Sequence, residues 1–432
     1  MITFYADVVA ENLEDPNIGS SYLVQHIELD QSAEQHFTVY PQLDISVLQQ
    51  LGQPFTIKKF TEYTAGKNVV LIGLHGGWSV KKLNKIRNWF LSDQQRTQAW
   101  HDPQCLIVLD YCEEGFTTEV FDDLWPWIHE NNLANRVLYV SSSVNVEDSY
   151  QHWCKKKLRA ENMRSAWYGF FPRWSLKNLT NSFTPDAHLS TVTDQRFMCL
   201  NRRPHPHRIL LITLLEHYDL LNSGATSFPL KFDEKEVMWH PDYWDIPLQW
   251  DQLEYRANGK LDYLRNSFTK VYEKLPLVAD TDVFSTNYAM DMNSEFYQRY
   301  PINIVSETLF FTEATFTSEK LWKPMMMGQI FFVMAAPFYL ADIRKLGFET
   351  FSPYIDEYYD TILDPVDRAV EMISSLKKVT QLNPNDFRRL LENCRERVNH
   401  NRSLIEDRER IGRLINQRVV NQIEDTWGDM RQ

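Results

Sequence analysis

Cysteine, glycine and long apolar runs are all scarce in this chain. Its 432 residues include 5 Cys and 14 Gly, and the cysteines show neither a CxxC pair nor the Cys/His spacing of a zinc site. Five scattered cysteines do not make a disulfide framework, so we expect a reducing, cytoplasmic compartment. The opening MITFYADVVAENLEDPN lacks the basic and apolar regions of a signal peptide. No run reaches the roughly 18 apolar residues of a membrane span, so we expect no membrane insertion.

The chain also lacks an excess of basic residues and a phosphate-binding glycine loop. Its formal net charge is −13, which disfavours non-specific coating of nucleic acid but leaves room for a local basic cleft. The pattern GxxxxGK[ST] is absent, which argues against a P-loop kinase. Hydrophobic residues at 43% and charged residues at 24% are typical of a globular protein. A chain of this length predicts two domains.

The first half of the chain alternates between strand-like and helix-like patterns. The strand candidates are "VVLIGLHGGW" (69–78), "CLIVLDYCEEG" (105–115) and "RVLYVSSSVN" (136–145). The amphipathic stretches between them predict βαβ units and a parallel sheet. A polar stretch at 175–195 is the best linker candidate.

The alternation restarts at "RFMCLNRRPHPHRILLITLLEHYDLL" (196–221), with later strand candidates at 302–311 and 329–336. The pattern predicts an α/β fold of two Rossmann-like domains facing a cleft, where ligands bind outside the carboxyl ends of the strands. We place an N-terminal domain at 1–190 and a C-terminal domain at 196–400. A closing helix is predicted at 401–432, packing back on the N-terminal domain. One apolar face of it carries Leu404, Ile411, Ile415, Val419 and Ile423.

The segment "FTSEKLWKPMMMGQIFFV" (316–333) places Ser318, Glu319 and Lys320 at a helix start, with Lys323 one turn on. Free N–H groups at a helix start attract negative charge, and a lysine beside them makes a cradle for a diphosphate. The adjacent glutamate can accept hydrogen bonds from the hydroxyls of a ribose. The alternative is an ordinary acid in the cap region with a solvated lysine.

The turn "CLNRRPHPHR" supports a phosphate site from a second position. Arg202 and Arg203 follow a strand, and arginine forks suit phosphate geometry. The alternative is a solvated basic turn. His205 and His207 are weaker candidates as metal ligands, because no carboxylate lies nearby in the sequence. The "DTD" at 280–282 is similar to an acidic metal-binding motif, and we set it aside.

Candidates for a general base follow the strands of the first half. Asp110, Glu113 and Glu114 come at the end of "CLIVLDYCEEG", and His75 in "GLHGGW" is the rival. A partly desolvated carboxylate has the raised pKa that a base requires. The alternative for each acid is a surface position in a turn.

The segment "TSEKLW…K…GQIFFV" resembles the donor-binding signature of the α1,3-fucosyltransferases, which belong to the GT-B class. Ser318, Glu319, Lys320, Leu321, Trp322 and Gly328 match that signature. The longer stretch through "LADIRKLGFETFSPYIDEYYD" also looks like fucosyltransferase-like proteins of bacteria and bacteriophages. The resemblance implies that Glu319 binds the ribose, and that Lys320 with Arg202 or Arg203 binds the diphosphate. It also implies that the domain at 1–190 binds the acceptor and that the domain at 196–400 binds the donor.

The resemblance implies a nucleotide-sugar-dependent, metal-independent, inverting glycosyltransferase (hexosyl or pentosyl) without a cofactor, and the cationic helix start and basic turn agree with it. Its predicted partners are a nucleoside-diphosphate sugar and a hydroxyl acceptor on a glycan or a modified DNA base. The alternative for the acceptor is a bacteriophage enzyme that glycosylates hydroxymethylated pyrimidines in the host cytoplasm. The alternative of another class is a non-catalytic nucleotide-binding or assembly protein. The sequence leaves the sugar, the nucleotide base and the oligomeric state open.

Overall fold

The computed structural model of the chain describes residues 1–6, 50–52, 54–74, 80–112, 115, 118–169, 195–230, 245–280 and 294–429. The chain divides into two compact units. The first comprises Met1–Arg173 and Arg408–Gln432, and the second comprises Trp174–Asp407.

The first unit contains a six-stranded sheet in which every paired strand is parallel to its neighbour. The strand order is β2-β1-β3-β4-β5-β6. The strands are β1 Ile2–Ala6, β2 Phe55–Lys59, β3 Asn68–Gly73, β4 Cys105–Tyr111, β5 Val137–Ser141 and β6 Arg164–Trp167. Strands β3, β4 and β5 are buried at every position, as expected of parallel strands covered on both faces.

Among the described residues, four helices lie between the strands of this sheet: α1 Val80–Leu91, α2 Gln94–His101, α3 Glu119–Glu130 and α4 Val146–Lys157. The amphipathic stretch "VKKLNKIRNWFLSDQQ" (80–95) spans α1 and the first two residues of α2. Asp93 starts the second helix, because its carboxylate accepts hydrogen bonds from the backbone N–H groups of Gln95 and Arg96.

The second unit contains a four-stranded parallel sheet of order β10-β9-β7-β8. The strands are β7 Phe197–Leu200, β8 Gly224–Ser227, β9 Ile302–Ser306 and β10 Ile330–Met334. The helices are α5 Pro206–His217, α6 Ile246–Ala257, α7 Arg265–Glu273, α8 Ser294–Tyr297, α9 Glu319–Met326, α10 Tyr339–Lys345, α11 Pro365–Thr380 and α12 Pro384–Glu406.

Two boundaries in this unit decide where the site lies. Helix α5 begins at Pro206, since proline is favoured in the first turn. Strand β9 is shorter than the predicted 302–311 and ends at Ser306. Glu307 therefore lies just beyond the carboxyl end of the strand instead of within it.

The last helix, α13 Arg408–Asp429, belongs to the first unit. Arg418 donates to the carbonyl of Val144 at 2.8 Å and to Glu147 at 3.1 Å. The sequence pattern put Leu404 on the same helix, but α12 ends at Glu406 and Asp407 has a non-helical ψ of 86°. The sequence has neither proline nor glycine between the two helices. The spacing of apolar residues therefore continues across the helix boundary and does not reveal it.

The predicted α/β class, with a parallel sheet in each half, is confirmed by these two units. All five cysteines lie among the described residues, and each is a buried free thiol. Within the described part of the chain, no helix has the length and apolar character to cross a membrane. That two sheets face one cleft stays a prediction from the sequence.

Candidate functional site

Three segments that follow the strands of the second unit converge at one edge of its sheet. The turn after β7 carries Asn201 to His205, Glu307 follows β9, and Ser318 precedes α9. The carboxyl ends of parallel strands meet at the same edge, which is where ligands bind in such sheets. The candidate donor site predicted from the sequence lies here.

Ser318 is the N-cap of α9. Its backbone is extended, with φ −97° and ψ −179°, and its hydroxyl accepts a hydrogen bond from the N–H of Lys320 at 3.3 Å. The helix continues through Pro324 and ends before Gly328, whose φ of +69° favours glycine. Glu319 and Lys320 therefore occupy the first turn, as predicted.

Glu319 and Lys320 form an ion pair at this helix start. The Lys320 Nζ lies 2.9 Å from Glu319 Oε1 and 3.2 Å from Ser318 Oγ. The Glu319 side chain is 9% exposed and that of Lys320 is 27% exposed, so the ammonium still reaches open space. Burial alone would raise the pKa of Glu319, but the charge and hydrogen bond of Lys320 outweigh burial and lower it.

A second carboxylate, Glu307, holds the N-cap in place and was not singled out from the sequence. It is fully buried. Its Oε1 accepts from the Ser318 N–H at 3.1 Å, and its Oε2 accepts from the Ser318 hydroxyl at 2.5 Å. Burial raises the pKa of the Glu307 carboxyl, against the opposing effect of Lys320. The available signal was an acid that interrupts the apolar stretch "INIVSETLFF".

Of the two arginines of the basic turn, Arg202 and Arg203, only Arg202 lines a pocket at this edge of the sheet. Arg203 is exposed and is not among the lining residues. Arg208, on α5, also lines the pocket. Its guanidinium is buried and donates to the carbonyls of Arg203 and Ser306, both at 3.4 Å.

Asp280 forms an ion pair with Arg202 inside this pocket. Its other oxygen accepts from the Ser227 hydroxyl at 2.6 Å, so the carboxylate is anchored to the end of β8. Asp280 is the first residue of the "DTD" that we set aside as a metal motif, and Thr281 and Asp282 lie outside the described residues. The described geometry gives Asp280 an arginine as its partner.

Of the two histidines of the turn, His207 is buried and His205 is half-buried, and the pKa of each is lowered. Burial, with Arg208 nearby, lowers the pKa of His207 to about 3, and burial lowers the pKa of His205 well below its ordinary value. The rings stack with centroids 5.6 Å apart, and His207 donates from Nε2 to the Glu307 carbonyl at 2.8 Å. Within the described residues, no group of three His, Cys, Asp or Glu side chains could hold a metal ion.

The pocket at this edge has a volume of about 120 Å³. Among the described residues, its charged lining comprises four cations and two carboxylates: Arg202, Arg208, Lys320 and Lys323 against Asp280 and Glu319. The surplus of two positive charges suits a diphosphate. Whole-ligand sites are larger, about 300–1,000 Å³, so this cavity fits a phosphate group rather than an entire nucleotide sugar.

In the first unit, Asp110 occupies the predicted place at the carboxyl end of β4. It is 1% exposed, and its carboxylate accepts from the backbone N–H of Cys112 at 3.2 Å. The strand pairing puts it beside Gly73 and Val140. The other base candidates, His75, Glu113 and Glu114, lie outside the described residues.

Comparison with known proteins finds similarity among solved structures. No protein-family model matches the chain, and no curated protein sequence matches it. One similar structure is the N-terminal domain of Candida albicans trehalose-6-phosphate phosphatase, at 9% identity and a TM-score of 0.43. Another is a UDP-forming α,α-trehalose-phosphate synthase from Burkholderia vietnamiensis, at 8% identity and a TM-score of 0.41. Each likeness covers 84% of this chain and 71% of the other. At such values neither likeness assigns a role to any residue of this chain.

Proposed function

We propose that this protein is a nucleotide-sugar-dependent glycosyltransferase of the GT-B class, acting on a hydroxyl acceptor by inversion and without a metal ion. The observation that carries the proposal is the start of α9. There Lys320 and Glu319 stand at the mouth of a pocket whose described lining has two more cations than carboxylates. Cations and free helix N–H groups are what a nucleoside diphosphate requires as it binds and as it leaves.

In this proposal, two kinds of group bind the donor. Lys320, Lys323 and Arg202 neutralise the phosphate oxygens, and the first-turn N–H groups of α9 add hydrogen bonds. Glu319 accepts from ribose hydroxyls, and the Lys320 ion pair keeps it ionised as an acceptor. To bind phosphate, Arg202 exchanges its ion pair with Asp280 for one with the ligand.

The transfer is a single displacement. The acceptor oxygen forms a bond to the anomeric carbon while its proton passes to a general base. The bond between the anomeric carbon and the phosphate oxygen breaks, and its electron pair leaves with the nucleoside diphosphate. The charge that develops there is stabilised by Lys320 and Arg202.

Thermal-shift measurements with nucleoside diphosphates of each common base, and with their sugar conjugates, test this proposal. We expect one nucleotide to raise the melting temperature and its sugar conjugate to be consumed in the presence of an acceptor. Glycans and hydroxymethylcytosine-containing DNA are the two acceptors to supply, followed by mass spectrometry. No stabilisation by any nucleotide would contradict the proposal. If a nucleotide binds but no acceptor is modified, the protein is a nucleotide-binding protein and not a transferase.

A further inference from the structure

Glu307 lies where four elements of the second unit meet. Its N–H donates to the Met334 carbonyl at the end of β10, at 3.1 Å, and its carbonyl accepts from His207 of α5. Its carboxylate accepts from Ser318, which caps α9, and from the hydroxyl of Tyr339, the first residue of α10, at 2.8 Å. The side chain has no exposed surface, so it contacts no ligand directly.

The Glu307 carboxylate fixes the direction of the Ser318 hydroxyl. An ionised carboxylate only accepts hydrogen bonds, so the Ser318 hydroxyl is the donor in their 2.5 Å contact. The lone pairs of the same oxygen are then available to Lys320. Its N–H lies 3.3 Å from that oxygen, and its Nζ lies 3.2 Å away.

We propose that Glu307 is a positioning residue: through the Ser318 hydroxyl it holds the Lys320 ammonium in place for an anionic ligand. This inference rests on the proposed function, because the ligand that Lys320 would hold is the diphosphate of the donor. The residue acts through Ser318 and Lys320 and takes no part in bond making.

The substitution Glu307→Gln separates positioning from packing. Ser318 N–H and Tyr339 both donate to Oε1, so the amide oxygen of the glutamine must face them and its NH₂ group must face the Ser318 hydroxyl. The hydrogen bond to Ser318 then runs in the opposite direction. The side chain keeps its size and its number of partners, but the Ser318 oxygen now shares its lone pairs between the introduced amide and Lys320.

The experiment is a double-mutant cycle of Glu307→Gln and Ser318→Ala, read as the affinity for the nucleoside diphosphate that the wild type binds. It is run at pH 8, well above the ordinary range of a glutamate. In the protein that retains Ser318, we expect Glu307→Gln to weaken nucleotide binding by about tenfold, which is the effect of losing one charge-assisted hydrogen bond. In the Ser318→Ala background the same change should have almost no effect.

The other outcomes overturn the inference. Equal weakening in both backgrounds would mean that Glu307 acts through packing, and tighter binding in both would mean that it acts only by its negative charge. The matched control is Glu357→Gln. The Glu357 side chain is 7% exposed, and it accepts from the Phe351 N–H at 2.5 Å, from the Thr350 hydroxyl at 2.8 Å and from the Arg344 guanidinium at 3.1 Å. It does not line the pocket, so its loss should lower the melting temperature and leave affinity unchanged.

A second readout needs no ligand and keeps this inference separable from the proposed function. The rate of Lys320 acetylation by acetic anhydride, followed by mass spectrometry, should rise in Glu307→Gln and not rise further when Ser318→Ala is added. Lys345, which pairs with Asp342 at 2.7 Å, is the internal reference. If no nucleotide binds the wild type, the proposed function fails, and the acetylation rates alone decide whether Glu307 positions Lys320. Unchanged rates would contradict the positioning role.

Discussion

Arg202 and Asp280 form an ion pair within the pocket, although 78 residues separate them in the chain. Their side chains are 13% and 11% exposed, so the pair is shielded from solvent and from salt. Asp280 thus occupies the partner position on Arg202 that a phosphate group takes in the proposed function.

The substitution Asp280→Asn tests this competition. The asparagine side chain keeps an oxygen for the Ser227 hydroxyl but carries no charge to hold Arg202. We expect nucleoside diphosphate to bind several-fold more tightly, because the ligand no longer displaces a carboxylate. The measurement is calorimetric titration of the wild type and the variant.

The matched control for that prediction is Asp367→Asn. Asp367 is an exposed partner of Lys260 in the same unit, at 2.8 Å, so its replacement changes the net charge of the unit by the same amount. Affinity should stay at the wild-type value. Equal tightening in both variants would show a general charge effect instead of competition at Arg202.

The two arginines of the basic turn should differ in their effect. Arg202→Ala removes a charged donor from the pocket, and the loss of such a bond costs about 1.5–3 kcal/mol, or roughly tenfold or more in affinity. Arg203→Ala removes an exposed side chain that does not line the pocket, so we expect less than about a twofold change. Equal losses on titration with the same nucleotide would refute this assignment.

The stability of the second unit should depend on pH through His207. Because its pKa is about 3 in the folded chain and near 6.5 when unfolded, the unfolded chain binds the extra proton below pH 6.5. The stabilising effect of the neutral imidazole is thus fully present above pH 6.5. As the pH falls from 6.5 toward 3, the free energy of unfolding decreases by up to about 1.4 kcal/mol per pH unit.

Hydrogen exchange of α5 between pH 7 and pH 5 measures this loss, after correction for the intrinsic exchange rate. In His207→Gln, whose amide can still donate to the Glu307 carbonyl, the dependence should be shallower. The same slope in both proteins would assign the pH dependence to other groups. His205 is the first of these to check, since its pKa is also lowered.

The substitution Asp110→Asn tests whether Asp110 is the general base, as one of the candidates predicted from the sequence. An asparagine keeps the acceptor for the Cys112 N–H but cannot take a proton, so we expect turnover to fall by about 10²- to 10⁴-fold with donor affinity unchanged. Parallel variants of His75, Glu113 and Glu114 make the test selective. If one of these variants abolishes turnover and Asp110→Asn does not, the base is that other residue.

Much of this fold could be predicted from the sequence because parallel strands are short apolar runs that end in polar residues. The runs around 69–73, 105–111 and 330–334 are such cases. The same reasoning placed Asp110 at the carboxyl end of a strand and Lys320 at the start of a helix. These are local features, set by hydrophobic pattern and by capping chemistry.

What the sequence did not predict depends on partners far apart in the chain. Nothing near Asp280 points to Arg202, and nothing near Arg208 shows that it, rather than Arg203, lines the pocket. Glu307 was missed because the strand was predicted to continue through 311, which places this acid within the strand instead of just beyond its end. Its role is visible only once Ser318 and Tyr339 are brought to it by the fold.

The central claim is that Lys320 holds the phosphates of a nucleotide donor. The most direct test is calorimetric titration of the wild type and of Lys320→Ala with the nucleoside diphosphate that gives the largest thermal shift. Lys345→Ala is the control, because that lysine lies on α10 and does not line the pocket. We predict that Lys320→Ala weakens binding by about tenfold or more and that Lys345→Ala leaves it unchanged. Unaltered affinity in Lys320→Ala would contradict the account.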